Sequence, residues 1–458
     1  MEIAIAGVGD AALTAVRSRV AIGRRLASTP GLLRLAAVML AISATVVLAV
    51  GAHAAGTRRD AAAKVTAIER RLVSAVGLSA SLSDAHAIAA SSFLAGGPEP
   101  AVSRRRYARQ LRRASSGVAV LASEVGASAG SGSAVRRITQ KLPVYAGYID
   151  DARANHRQNF PVGSAYLRRA SQTMREEILP AAGDLYRIEA QRLTTSYRAG
   201  VSLSSVLGVV LAGCAMLALL IATQVYMARV TRRIVNPRLA LATAALLGLL
   251  IWILAAFAQQ QTALAQAQRE GSDPVELLTV TRILASRAQA NESIALAARG
   301  GGDGEPRLAD VDRGFRAVTR PIGVARRGSA RGSGGLLQRA AVIAGDSPAG
   351  VDAIYAAYRR YLEAHRRVAA QEQRGDFSRA VKLAIGGGAS PSASTAAAAA
   401  AFNRALDNEV GRAHRRFDGA ASRAQAALGG LAAGIPLLTA LSALLALLGV
   451  RQRLQEYR

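Results

Sequence analysis

The sequence predicts an all-α membrane protein: four transmembrane helices with two tandem-related extracytoplasmic domains, each four-helix-bundle-like. Three observations predict it. Four stretches lack formal charge for long enough to cross a hydrocarbon layer of roughly 30 Å, which takes about 20 helical residues. They are Leu35 to Thr57, Ala199 to Ala228, Leu239 to Gln268 and Ala424 to Val450. The segments between them carry apolar residues at helical spacing, with hardly a strand pattern. The chain also repeats itself: YAGYIDDARANHR from Tyr145 returns as YAAYRRYLEAHRR from Tyr355.

Arginine in the short flanks sets the orientation, since cytoplasmic flanks are the basic ones. Arg17, Arg19, Arg24, Arg25 and Arg34 precede the first span, Arg229, Arg232, Arg233 and Arg238 separate the second from the third, and Arg451, Arg453 and Arg458 follow the fourth. The expected order is therefore a cytoplasmic segment over 1–34, a span over 35–57 and an extracytoplasmic bundle over 58–198. A span over 199–228, a basic cytoplasmic loop over 229–238 and a span over 239–260 come next. A second extracytoplasmic bundle over 261–425, a span over 426–450 and a cytoplasmic tail over 451–458 complete it. Both termini are thus expected inside the cell membrane and both large domains outside. Two readings of the first span compete, because a basic start, an apolar run and Ala52-His53-Ala54 also fit a cleaved signal peptide; the length of the run favours a retained anchor. Pro436 should kink the fourth span, and Gly430 and Gly434 form a small-xxx-small pair open to another helix, as in a homo-oligomer.

The first outer region opens on a heptad seam, Ala61, Val65, Ile68, Leu72, Ala75, Ser79, Leu82, His86, Ala89 and Phe93, spaced alternately four and three apart. A gapless shift of 205 carries Leu72, Ser79, His86 and Phe93 onto Leu277, Leu284, Asn291 and Ala298. Both seams end at glycine, Gly96-Gly97 and Gly300-Gly301-Gly302, as helices often do. Further breaks fall at 126–133 and 160–163, and in the second region at 328–335, near Gly375-Asp376 and at 386–394. Each region reads as four helical stretches, most economically buried as an antiparallel bundle. Leu167, Met174, Ala181 and Ile188 continue the seam at heptad spacing toward the second span, and the run from Ser394 to Ala401 reads as a helix start.

Composition narrows the function classes. The net charge is +28, and 51% of residues are hydrophobic but only 4% aromatic. Such charge would ordinarily raise nucleic-acid binding. The basic residues are almost all arginine, with only Lys64, Lys141 and Lys382, in an alanine-rich chain, which suits GC-rich coding as well as a selected surface, and no nucleic-acid partner is expected. Cys214, the single cysteine, excludes an intramolecular disulfide. Histidines 53, 86, 156, 365 and 414 fall in no metal-ligand spacing, so no metal and no cofactor are expected. No GxSxG, Walker A or GxGxxG stands in a strand-then-helix setting, and Asp150-Asp151 and Glu176-Glu177 point to different sides of a helix, so no catalytic residues are expected.

His86 and Asn291 are candidate sites because a polar side chain in a heptad core either fixes register or marks a cavity. His156 and His365, beside arginines, read as solvated helix surface. Arg229, Arg232, Arg233 and Arg238 either hold the spans in orientation or contact an acidic cytoplasmic partner or anionic headgroups of the bilayer.

The stretch LPVYAGYIDDARANHRQNFPVGSAYLRRAS from Leu142, with SDAHAIAASSFLAGGPEP from Ser83 and RAQANESIALAARGGG from Arg287, resembles the actinobacterial four-span GlnX-type membrane proteins. Their matching positions are Arg153, Asn155, Arg157, Gln158, Pro161, Gly163, Tyr166, Leu167 and Arg168; His86 and His156 depart from the family pattern. The resemblance implies a sensor that reports amino-acid availability, detected by a substrate-binding lipoprotein outside, to a soluble protein kinase inside, and it makes Arg153, Asn155, Arg157, Gln158 and Tyr166 ligand or partner contacts. The cytoplasmic pieces together hold about 50 residues, below an ordinary domain, so a non-enzymatic transducer is expected. A membrane scaffold or envelope structural protein shares the topology, while a transporter would need ionisable residues within its spans.

Overall fold

A computed structural model describes residues 29–95, 99–125, 129–157, 162–200, 203–231, 236–300, 309–323, 335–343, 348–386 and 393–455. Among the described residues there is no strand, and the four apolar stretches lie on helices long and apolar enough to cross a membrane. The helices are α1 (Thr29–Ser92), α2 (Ala101–Val125), α3 (Ala129–Arg157), α4 (Val162–Thr173), α5 (Leu179–Gly200), α6 (Leu203–Thr231) and α7 (Pro237–Gln266). They continue as α8 (Asp273–Gly300), α9 (Ala309–Thr319), α10 (Leu336–Ile343), α11 (Pro348–Gln373), α12 (Phe377–Ile385), α13 (Thr395–Gly429) and α14 (Leu431–Gln455). Residues divide into two compact units, one built from the chain up to Ala63, Tyr197–Ala263 and the chain from Ser422, the other from Lys64–Ser196 and Leu264–Ala421.

The first unit is built for lipid. Leu40, Ala44 and Val47 of α1 meet Met216 and Leu220 of α6, Ala242 and Leu246 of α7 and Ala446 of α14 in one apolar core. Large apolar side chains are equally abundant on its outside: Leu211 is 68% exposed, Ile251 67% and Leu437 68%. A surface of that kind faces hydrocarbon rather than water. Several polar side chains inside the unit find partners across helices. Arg58 donates to Gln260 Oε1 and Ser205 Oγ at 3.1 Å each and lies over the Phe257 ring, while Ser442 Oγ donates to the Ala242 carbonyl at 2.9 Å. Helix α13 ends at Gly429 and α14 begins at Leu431, where Arg59 reaches the Leu428 and Gly429 carbonyls. Gly430 and Gly434 do receive a neighbour, and it comes from the same chain: the Trp252 indole of α7 lies where their side chains would be.

The second unit holds both repeats. Nine of the ten seam positions on α1 are buried and Phe93 partly so, as the heptad reading requires. Of these, Ala75, Leu82 and Ala89, with Phe93, pack with α2, α3, α4 and α5 around Tyr145, Ile149, Met174 and Leu185. The second half has its own core of Leu278, Ala285, Phe315, Tyr361, Phe402 and Leu406. It contains more than four stretches, because α9 and α10 are two short helices and α12 is inserted after a turn at Gly375 (φ 79°) with Asp376 capping its first turn. A third cluster joins Leu94 of the first half to Leu296, Val368, Ala380 and Ala384 of the second. Ser394 caps α13 by accepting from Ala397 N–H at 3.1 Å, consistent with the helix start read from the alanine run.

Two π-helical turns, Met174–Ile178 and Ala267–Ser272, precede Pro180 and Pro274. Proline lacks an N–H and clashes with the carbonyl four residues back, here Glu176 and Glu270, and the wider turn absorbs both effects. The Glu270 carbonyl takes Arg416 Nε instead at 3.2 Å. Within the second of these turns a Cβ on Gly271 would stand 2.6 Å from Phe417 Cβ and 3.0 Å from its Cα. Those atoms cannot swing away, so Gly271→Ala must separate α13 from this turn. The expected cost is about 1–3 kcal/mol, seen as a lower unfolding temperature of the purified protein, against no shift for Gly183→Ala, where a Cβ meets open space.

Candidate functional site

A cavity of about 230 Å³ opens at one end of the first repeat. Ser92 and Phe93 at the end of α1, Glu99 and Arg104 at the start of α2, and Asp150, Arg153, His156 and Arg157 on the last turns of α3 line it. The α3 residues converge because positions three and four apart share a helix face. Gly163 brings the start of α4 onto that face, since a Cβ there would stand 3.2 Å from both the Ala152 carbonyl and the His156 N–H nitrogen.

Arg153 organises the cavity. Its Nη2 donates to Glu99 Oε1 at 3.0 Å, its Nη1 to Asp150 Oδ1 at 3.4 Å, and its guanidinium lies 4.3 Å over the Tyr107 ring. Glu99 is thereby held between two cations, Arg104 Nε standing 3.5 Å from its other oxygen. Three buried polar atoms keep unmet hydrogen-bonding capacity: Glu99 Oε2, Arg153 Nε and His156 Nε2. The His156 ring is tilted against Phe93 at 5.2 Å, so this histidine is half-buried and not the solvated surface read from its neighbours. Cations, carboxylates and an imidazole around one small cavity suit a ligand that carries charges of both signs.

Behind the cavity lies a buried polar core. His86 is 3% exposed, meets the Tyr145 ring edge-on at 6.0 Å, and finds no hydrogen-bond partner for either nitrogen. Burial, with the Arg175 charge second, pushes its pKa down to about 3, so the ring is neutral. Burial also pushes the Tyr107 and Tyr145 phenols up.

The other residues singled out from sequence are scattered. Asn155 donates to the Asp151 carbonyl of its own helix at 2.8 Å, Tyr166 packs against the first core, and Leu167 lies within it. Gln158 and Pro161, like Arg232 and Arg233, lie outside the described residues. Arg229 and Arg238 are exposed in the membrane unit. Asn291 is half-buried; the core position belongs to Glu292, at 1% exposure. A π turn takes one residue more than an α turn, so the turn at Ala267–Ser272 moves the α8 seam one place, to Leu278, Ala285 and Glu292.

His365 corrects the surface reading outright. It is 3% exposed, its Nδ1 bonds Glu292, its Nε2 stands 3.4 Å from Asp312 Oδ1, and its ring stacks on Phe315 at 3.5 Å. The spacing could have found it, since Ile354, Tyr358, Tyr361, His365 and Val368 are all buried and run four, three, four and three apart on α11. Glu99 had no such signal, because it precedes its helix and its role depends on α3.

Neither the curated proteins nor the solved structures contain a match to this chain. Residues 51–198 match the family model of the actinobacterial sensor domain, and the four helices long and apolar enough to cross a membrane make the chain a multi-pass membrane protein with a segment similar to that domain.

Proposed function

We propose that the protein is a non-enzymatic membrane sensor that takes up a small polar cue on its extracytoplasmic side and relays it to a cytoplasmic partner. The cavity around Arg153 carries this reading, because it lies in the segment that matches the sensor domain and offers unmet donors and an acceptor. Its size suits an amino acid, arriving free or on a substrate-binding lipoprotein, and its mixed charge suits the ammonium and carboxylates of one. The arginine asymmetry supports cytoplasmic termini and two outer domains. On that topology a ligand-set shift of one helix against another moves the inner helix ends, where Arg229 and Arg238 stand exposed beside the short loop. A soluble Ser/Thr kinase is the partner that the GlnX-type resemblance suggests.

Crosslinking in native membranes with and without glutamate or aspartate, followed by mass spectrometry, tests the relay. Recovery of a lipoprotein outside and a kinase inside supports it; an unchanged set of neighbours favours the scaffold. In a direct binding assay Arg153→Ala is expected to weaken glutamate at least tenfold, the worth of one charge-assisted hydrogen bond. Equal affinity in the variant removes the cavity from the reading.

A further inference from the structure

A second, larger cavity of about 1020 Å³ lies between the two halves of the polar helical unit. Arg106, Arg109 and Arg113 stand three and four apart on α2 and form one of its walls. Arg282 and Arg404 face it from α8 and α13, so five arginines meet only two carboxylates, Asp84 and Asp407.

Those carboxylates are already engaged. Arg282 donates to Asp84 at 2.8 Å and pairs with Asp407 at 2.6 Å, and Ser286 Oγ donates to the other Asp84 oxygen at 2.8 Å. Arg106 and Arg109 form no ion pair among the described residues, although an exposed arginine stripe beside two aspartates could have been neutralised from within. The first turn of α13, at Ser394 and Ala397, closes one side and adds the positive end of a long helix. No aromatic side chain lines the cavity among the described residues, which leaves no platform for a base or a ring. An excess of three positive charges over this volume would repel itself without a counter-charge of similar size, and a single monoanion leaves most of it unmet.

We infer that the cleft between the two repeats is a binding site for a polyvalent oxyanion carrying about three negative charges, of phosphate type. Arginine forks and helix amides are the donors that suit such oxygens. Because the anion touches α2 of one repeat and α13 of the other, its binding would tie the halves together. This site adjoins the cavity around Arg153, with Ser92 lining both, but its arginines are different ones and it does not depend on the sensor reading.

The test uses the full chain in nanodiscs of zwitterionic lipid, titrated with inorganic tripolyphosphate at physiological salt. Binding is expected, and the triple variant Arg106→Ala, Arg109→Ala, Arg113→Ala should weaken it at least tenfold. A charge-matched variant, Arg136→Ala, Arg137→Ala, Arg169→Ala, removes three exposed arginines elsewhere and should leave it within about twofold. Repetition in nanodiscs with anionic lipid separates sources: competition there identifies lipid headgroups as the natural phosphate, and unchanged affinity a soluble one. No binding to the unaltered chain, or equal losses in the two triple variants, overturns the inference.

Discussion

Glu292→Ala is expected to destabilise the polar helical unit by about 3–5 kcal/mol, the range for breaking one side of a buried ionic or hydrogen-bonded pair. Glu292 is 1% exposed and its carboxylate bonds His365, itself 3% exposed and pinned by the Phe315 stack. Truncation removes the partner of His365 Nδ1 and opens a void next to Tyr361, whose hydroxyl donates to the Ala285 carbonyl at 3.0 Å. The surroundings cannot repair the loss, since Asp312 stands on the opposite ring nitrogen and is paired with Arg316. Thermal unfolding of the purified protein should fall by several degrees. Glu292→Leu combined with His365→Phe should recover most of that fall, because a buried pair replaced by packed apolar groups is often neutral. A single variant that melts with the parent would show the pair to be solvated.

His86→Leu is expected to stabilise the protein, and more so in acid. The folded ring holds its pKa near 3, below the ordinary imidazole value of 6.5. Between those values the unfolded chain binds a proton that the fold refuses, so stability falls as pH drops from about 6.5 toward 3. The full shift corresponds to a loss on the order of 4–5 kcal/mol at the acid end, taking 1.36 kcal/mol for each pKa unit. Leucine has nothing to protonate and also removes two buried nitrogens that lack partners, so the gain should be small at pH 8 and large at pH 4.5. His414 works in the opposite direction. Glu69, 3.4 Å from its Nδ1, raises its pKa, so its contribution is complete below the ordinary imidazole value and fades as pH rises through the raised one. A pH series on His86→Leu therefore isolates one slope. Parallel curves for variant and parent would place His86 in contact with water.

Period and charge made the helical architecture readable. The spans needed only uncharged length, and the α1 seam needed only its alternation of four and three, which also placed His86 in the core. The errors began where one residue changed the register. The π turn before α8 is a backbone response to Pro274, and it moved the core position from Asn291 to Glu292. At His365 the neighbouring arginines suggested water, although the seam through Ile354 and Tyr361 pointed inward. Arg153 was marked by resemblance alone, and its partners Glu99 and Tyr107 come from other helices, a juxtaposition that no local pattern encodes.

The indole of Trp252 fills the gap left by Gly430 and Gly434, and the chain has no other tryptophan. Its intrinsic fluorescence therefore reports on one helix contact, between α7 and α14, without any label. Any event that slides or rotates either helix changes the polarity and quenching around that ring. A titration followed by emission spectra can thus watch the membrane unit respond while the added solute is still being varied.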